Sequence, residues 1–274
     1  FEDSLRVTFL DVGKGNSALV EFPKGKKMII DGGGFSRGDF DVGEMVVAPF
    51  LWHSKILEVD YLVLSHPQSD HMNGLRFIAE HFHPKEFWYS GDAVDVPAFK
   101  ELLRMVKEKG ITVRTPVDLK RGLVINGVRV ELLHPRPGEK RPFESIDGKW
   151  LNNRSLVLRI SNGGTSFLFP GDIEAGGENE LVARAGERLH SDVLLSPHHG
   201  SNTSSSLEFL EAVNPRLCVV SSGEGNPHFP HPSVLKRLRE AGCKVICTAR
   251  SGAVRVEAGP GNFRVETFVH STGH

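Results

Sequence analysis

The run Leu62-Val-Leu-Ser-His-Pro-Gln-Ser-Asp-His-Met-Asn-Gly74 constrains this chain more than any other segment. A short apolar strand stops in three potential metal ligands, His66, Asp70 and His71. Two imidazoles and a carboxylate at the end of a buried strand are costly to desolvate unless a cation offsets the cost. A divalent metal is the usual cation, and a metal in a cleft points to hydrolysis.

The same pattern recurs along the chain. Residues 8–10 run into Asp11-Val-Gly-Lys-Gly-Asn16, a tight turn that brings backbone amides near an anion. Residues 28–30 run into Asp31-Gly-Gly-Gly34, 166–169 into Pro170-Gly-Asp172, and 192–195 into Ser196-Pro-His-His-Gly-Ser201. Residues 217–220 run into Ser221-Ser-Gly-Glu-Gly225 and on towards His228 and His231. Loops at the carboxyl ends of strands are where α/β folds gather their sites. One sheet edge is therefore expected to collect His66, Asp70, His71, Asp172, His198 and His199, an inventory for two metal ions.

Around these loops, strands are expected at 5–10, 17–22, 27–30 and 61–64, and helices at 75–81 and 97–109. Pro97 suits the first turn of the second helix and Gly110 its end. A second β-rich stretch follows at 123–125, 128–133, 155–160 and 166–169, with Asn126-Gly127 as a two-residue hairpin signal. Residues 135–149 read as a surface loop. Next come a helix at 178–189, a strand at 192–195 and a helix through 212, opened by the capping box Ser205-Ser-Leu-Glu208. Strand 217–220, helix 233–241 closed by Gly242, and strands 244–248, 253–257 and 264–268 complete the order. Two halves, each a meander followed by α/β units, suggest two sheets sandwiched between helices.

At 274 residues the chain is expected to be a single domain spanning 1–274. Charged residues make up 24% and the net charge is −1, so any DNA contact must come from a local basic patch. No apolar run approaches the roughly 20 residues of a bilayer span, so no membrane insertion by this chain is expected. Of three cysteines, Cys218, Cys243 and Cys247, the last two fall on one face of an apparent strand and are expected as buried thiols. The paired CxxC knuckles of a zinc ribbon are missing.

The ordered motifs carry a family resemblance. Leu10-Asp-Val-Gly-Lys-Gly15, Asp31-Gly-Gly, Ser65-His-Pro-Gln-Ser-Asp-His71, Asn152-Asn-Arg-Ser-Leu-Val-Leu158, Phe169-Pro-Gly-Asp-Ile-Glu174, Pro197-His-His-Gly-Ser-Asn-Thr-Ser-Ser-Ser206 and Pro230-His-Pro-Ser-Val-Leu235 together resemble the metallo-β-lactamase superfamily. Within it, the chain is most similar to the metallo-β-lactamase-like domain of the ComEC family of bacterial competence DNA-uptake channels. The resemblance covers essentially the whole chain and implies an α/β fold, the αββα sandwich.

Carried over residue by residue, Asp70 and His71 match the second-metal ligands and Asp172 the carboxylate that bridges two metals. His199 matches the last ligand, with His198 as runner-up, and His66 matches the first ligand of the other site. The sequence departs at Gln68, where the superfamily has His and the competence family commonly Asp. The superfamily's third histidine is replaced around Asn152 or Asn153. The first site is thereby weak, oxygen-rich or empty, which favours Mn²⁺, with Zn²⁺ or Mg²⁺ possible, in one or two copies.

The implied activity is divalent-metal-dependent hydrolysis of DNA phosphodiester bonds. Asp70 and Asp172 would serve it directly, and Asn16, Ser201, Asn202 and His231 would contact phosphate. The implied task is degrading the strand of incoming DNA that is not transported. The implied partners are DNA and the membrane channel and other soluble domain of a longer parent protein. The implied place is the extracytoplasmic face of the bacterial cytoplasmic membrane.

Two rivals stay open. One is a same-fold hydrolase of a small phosphodiester, lactone or thioester. The other is a DNA-binding module whose metal site has decayed, which Gln68 and the missing histidine keep alive. Plainer readings stand beside individual residues. Asp11 and Asp31 are expected as turn-formers. Adjacent His198 and His199 cannot both point inward from an extended segment. His134 suits a loop role better than a ligand's, and His270 and His274 belong to a tail. Lys236, Arg237 and Arg239 form a basic helix face, either solvated or a DNA rail.

Overall fold

Strands that are apolar on both faces demand cover on both faces. In the strand Lys27–Ile30, Met28 and Ile30 face one apolar cluster while Ile29 faces another. The computed structural model describes residues 4–35, 38, 40–139, 147–223 and 228–269. The first half supplies β1 (Arg6–Phe9), β2 (Ala18–Glu21), β3 (Lys27–Ile30), α1 (Ala48–His53), β4 (Tyr61–Val63), α2 (Ser69–His81), β5 (Glu86–Trp88), α3 (Pro97–Glu108), β6 (Thr112–Arg114) and α4 (Pro116–Leu119). The second supplies β7 (Leu123–Ile125), β8 (Val128–His134), α5 (Gly148–Asn152), β9 (Val157–Asn162), β10 (Thr165–Phe169), α6 (Ala175–Ala185), β11 (Val193–Leu195), α7 (Leu207–Val213) and β12 (Leu217–Val220). It closes with α8 (Pro232–Glu240), β13 (Lys244–Cys247), α9 (Thr248–Ser251), β14 (Val254–Gly259) and β15 (Asn262–Thr267).

The strands form two sheets, ordered β15-β14-β1-β2-β3-β4-β5-β6 and β13-β12-β11-β10-β9-β8-β7. Each begins as an antiparallel meander and continues parallel, at β3-β4-β5-β6 and β10-β11-β12-β13. One core, including Val7, Phe9, Val20, Ile160, Phe167 and Val219, lies between the sheets. A second packs Leu75 and Ile78 of α2 and Phe99 and Leu102 of α3 on the outer face of the first sheet. A third packs Leu181, Phe209 and Leu238 of α6, α7 and α8 on the outer face of the second. The layering is αββα, as expected, and belongs to the α/β class.

Several expectations are corrected. The C-terminal hairpin β14-β15 joins the first sheet, with Phe9 opposite Val254, although its sequence follows the second. The helix expected to open at residue 75 opens at Ser69, so Asp70 and His71 sit in its first turn rather than in a loop. The N-cap of α7 is Ser206, whose hydroxyl accepts from the Phe209 amide, so Ser205 and Glu208 do not form the capping box. Cys218 and Cys243 are joined as a disulfide with Cα atoms 6.1 Å apart, within the usual span for such a bond, and Cys247 alone is free. The helix α5 begins inside the expected loop 135–149. Residues 140–146 of that loop, Glu224, Gly225, His270 and His274 lie outside the described residues. The hairpin at Asn126-Gly127 is borne out, with φ of 49° and 85° at the two turn residues.

Candidate metal centre

Helix α2 is held against the end of β3 by an unusually close backbone approach. The Gly32 amide donates to the His71 carbonyl at 2.6 Å and the Gly74 amide to Gly33 at 3.1 Å. A Cβ at Gly74 would overlap the Gly32 carbonyl oxygen, so only glycine allows the contact. The approach sets His71 Nδ1 2.7 Å from Asp31 Oδ2. Asp31 also accepts from the Ser65 amide at 2.7 Å and the Ser65 hydroxyl at 2.8 Å. It is thus more than the turn-former expected. It accepts a hydrogen bond from Nδ1 and so turns Nε2 of His71 towards the cluster, the usual support for a metal-binding histidine.

Four other side chains converge there. Asp172 follows β10 through Pro170-Gly171, its amide fixed by Ser155 Oγ at 3.0 Å. His199 lies in the 3₁₀ turn Pro197–Gly200 after β11. His71 Nε2 is 3.1 Å from Asp172 Oδ1 and 3.3 Å from His199 Nε2. His199 Nε2 is 3.3 Å from Asp172 Oδ2 and 3.7 Å from Asp70 Oδ2. Four ligands held about 2.1 Å from one ion at tetrahedral angles lie about 3.4 Å from one another. Asp70, His71 and His199 form one group of donors close enough for a single divalent ion, and Asp172 lies beside it within 3.3 Å of both histidines. His66 Nε2, fully buried and without a hydrogen-bond partner, lies 4.0 Å from Asp172 Oδ2 and groups with His71 and Asp172 as a second donor set.

The electrostatics follow from burial and neighbours. Burial disfavours charge on Asp172, but His199 and His71 outweigh it and hold the carboxyl well below the usual range. Burial likewise opposes a charged His71, and Asp172 and Asp31 outweigh it, raising its pKa well above the ordinary value. His66 is pushed down to about 4 by burial and by His71. Asp172 is thus ionised and His66 is a neutral imidazole, while His71 carries a proton on Nε2 that a metal would displace.

His198 and His199 are not on an extended segment. Both have positive φ, 50° and 55°, and this left-handed turn brings both rings towards Asp172. His198 Nε2 lies 3.9 Å from Asp172 Oδ2 while its Nδ1 meets Thr203 Oγ1 at 3.3 Å. Gln68 Nε2 donates to Asn152 Oδ1 at 2.7 Å, and Asn152 Nδ2 to Glu174 Oε1 at 2.9 Å. Gln68 and Asn152, two of the residues at which the sequence departs from the resemblance, thus bond to each other. Asn153 Oδ1 accepts from the Glu174 and Gly177 amides, and its carbonyl accepts from His134 Nε2 at 2.9 Å.

Among the expected phosphate contacts, Asn16 is buried with both amide atoms unpaired, and its backbone amide donates to the Asp70 carbonyl at 3.2 Å. Ser201 Oγ meets Thr203 Oγ1 at 3.0 Å, and Asn202 is exposed. His231 caps α8, its Nδ1 accepting from the Ser233 amide at 3.2 Å. Sequence reasoning did not single out Lys14, whose half-exposed ammonium lies 3.1 Å from Asp70 Oδ2. Its signal was the Gly13-Lys-Gly15 turn, where Gly15 allows the chain to touch the Asp70 backbone.

A family model described as the metallo-beta-lactamase superfamily matches residues 10–223. The chain is 31% identical to ComE operon protein 3 of Bacillus subtilis (strain 168), over 91% of its own length and 32% of that protein's. It is 34% identical to competence protein ComA of Neisseria gonorrhoeae, over 97% of its own length and 34% of that protein's. It therefore spans about a third of the length of these relatives. Among solved structures, CmlA, a diiron beta-hydroxylase from Streptomyces venezuelae, superposes with a TM-score of 0.52 at 15% identity. That match covers 89% of this chain and 52% of CmlA, and it shows a shared fold.

Proposed function

The chain belongs to the metallo-beta-lactamase superfamily, and from that premise we propose that it is a divalent-metal-dependent hydrolase that cuts DNA phosphodiester bonds. The observation that carries the reading is the convergence of Asp70, His71, Asp172 and His199, with neighbouring ligand atoms 3.1 to 3.7 Å apart and Asp70, His71 and His199 close enough to share one ion. When bound, a divalent ion supplies Lewis acidity towards a phosphoryl oxygen and a more acidic water. The chain's own residues do the rest. Asp31 holds the His71 tautomer, burial keeps bulk water from the ligands, and Lys14 presents a cation beside Asp70 for an anionic substrate. Oxygen and nitrogen donors in this mix suit Mn²⁺, with Zn²⁺ or Mg²⁺ as alternatives.

The relatives named as competence proteins support a place in DNA uptake, where the implied task is degrading the strand that is not transported. In this reading the chain is one domain of a longer membrane protein and acts outside the cytoplasmic membrane. Among the described residues no helix is long and apolar enough to cross a membrane. The disulfide Cys218–Cys243 supports an oxidising compartment.

The test is degradation of end-labelled linear DNA by chelator-stripped protein with added Mn²⁺, Mg²⁺ or Zn²⁺, beside Asp70→Ala. Metal-dependent cleavage by the wild type, lost in the variant, is expected. Folded protein that cleaves with none of the three metals would leave a small-substrate hydrolase or a binding module instead.

A further inference from the structure

The basic face expected on α8 does not survive as a unit. Lys236 pairs with Glu240 at 3.7 Å, and Arg237 turns inward to the Ser204 and Ser205 carbonyls at 2.8 and 2.9 Å. Arg239 instead lines a groove of about 730 Å³ that runs along β13, the edge strand of the second sheet. Lys244 of β13 and Arg250 of α9 line the same groove, with Cys247 and Thr267 between them. All three cations are exposed, and among the described residues none forms an ion pair. Three such cations gathered around one concavity mark a surface suited to an anion.

One wall of the groove reaches the candidate metal centre through Phe229. Phe229 lies on its wall, with its ring centroid 5.9 Å from that of His198 and 6.2 Å from that of His199. Lys14, which touches Asp70, sits with its ammonium 5.7 Å from the same ring. Phe229 thus joins Lys14 at the candidate ligands to the groove that Arg239, Lys244 and Arg250 line. Aromatic faces that stack bases beside cations that meet phosphates are the means by which proteins hold a single strand without reading its sequence.

We propose that Arg239, Lys244 and Arg250 bind the phosphates of a single nucleic-acid strand whose scissile bond lies at the metal centre, with Phe229 stacking a base between the two. This rests on the phosphodiesterase reading above and extends it from the reacting bond to the strand that carries it. The groove sets how many nucleotides the protein grips, and so makes the enzyme prefer a polymer to a small diester.

The experiment is fluorescence anisotropy of a labelled single strand of about 12 nucleotides with chelator-stripped protein, over about 0.05 to 0.2 M salt. It compares wild type with the triple variant Arg239→Gln, Lys244→Gln, Arg250→Gln, and hydrolysis of bis(p-nitrophenyl) phosphate is measured in parallel with metal restored. Three lost phosphate contacts on a single strand are expected to shrink the slope of log affinity against log salt by about 2 and to weaken binding about 100-fold near 0.1 M. Hydrolysis of the small diester, too short to reach the groove, stays at the wild-type rate. Lys236→Gln on the same helix leaves the slope unchanged. A wild type that binds the strand with a slope the triple variant shares overturns the groove but leaves the phosphodiesterase reading intact. A wild type that hydrolyses neither the small diester nor the strand removes that reading, and the groove proposal with it. A triple variant that loses small-diester hydrolysis while folded would place the cations at the reaction itself, and would also overturn the proposal.

Discussion

Asp31 shows how much of the site is decided by a residue that need not touch the metal. Its carboxylate binds Ser65 twice and His71 once, all within 2.8 Å, and so fixes which imidazole nitrogen faces the cluster. Asp31→Asn keeps the shape and tolerates the positive φ of 59° but weakens the grip on the ring proton. Metal affinity is expected to fall about 10- to 100-fold while the melting temperature moves little, measured by chelator competition and thermal melts. Equal affinity in the two proteins would remove Asp31 from the site. His134 gives a separate test in pH. Burial first, and then Arg184, hold it at about 4, below its ordinary 6.5. Between those values the unfolded chain binds the proton and the folded chain does not. Stability should therefore be full above the unfolded value and decline as pH falls towards about 4, by about 3 kcal/mol. Urea melts at about pH 7 and about pH 4.5 are expected to show a steeper loss for wild type than for His134→Gln, and parallel losses would contradict the assignment. The ligands themselves were legible because strand-end His and Asp are hard to explain otherwise. Asp31 was not, since a strand-end Asp-Gly-Gly also makes an ordinary turn and its partner lies 40 residues on. The pairing of His198 and His199 on one carboxylate was hidden because sequence does not announce a left-handed turn at two adjacent non-glycine residues.

At the level of elements, the decisive contact is α2 against the β3 loop. Gly32, Gly43 and Gly74 meet there with backbone in contact, and this places His71 on Asp31. Gly74→Ala forces the helix away. A loss of about 3 kcal/mol is expected, together with weaker metal binding, read from thermal melts and a metal titration. An alanine variant with wild-type melting and affinity would show that the close approach is incidental. Most strands were readable from apolar runs of four or more residues. The misses have local causes. β5, Glu86-Phe-Trp88, and β6, Thr112-Val-Arg114, mix charged or polar residues into three-residue strands, so neither shows an apolar run. The first turn of α2, Ser69-Asp-His, is polar because it carries ligands, so its helical character is masked by its chemistry.

Across the whole molecule, the two-sheet plan was visible in the repeated order of meander and parallel units, while the return of β14 and β15 to the first sheet was not. That pairing joins residues more than 240 positions apart, and no local pattern encodes it. The disulfide was missed for the same reason, because Cys218 and Cys243 meet only once β12 and the loop after α8 are packed. It yields a test of compartment: of three cysteines, one, Cys247, should react with a thiol reagent in denaturant without reductant. Three reactive thiols would argue against the oxidising setting proposed here. The central claim is that Asp70, His71, Asp172 and His199 together hold the ion on which activity depends. It is tested most directly by titrating Mn²⁺ into chelator-stripped wild type and Asp172→Asn by calorimetry, with both folds checked by thermal melts. At least one ion bound per wild-type chain, and lost in the variant, is expected. Folded wild-type protein that takes up no ion, or a variant that binds as the wild type does, would contradict the account.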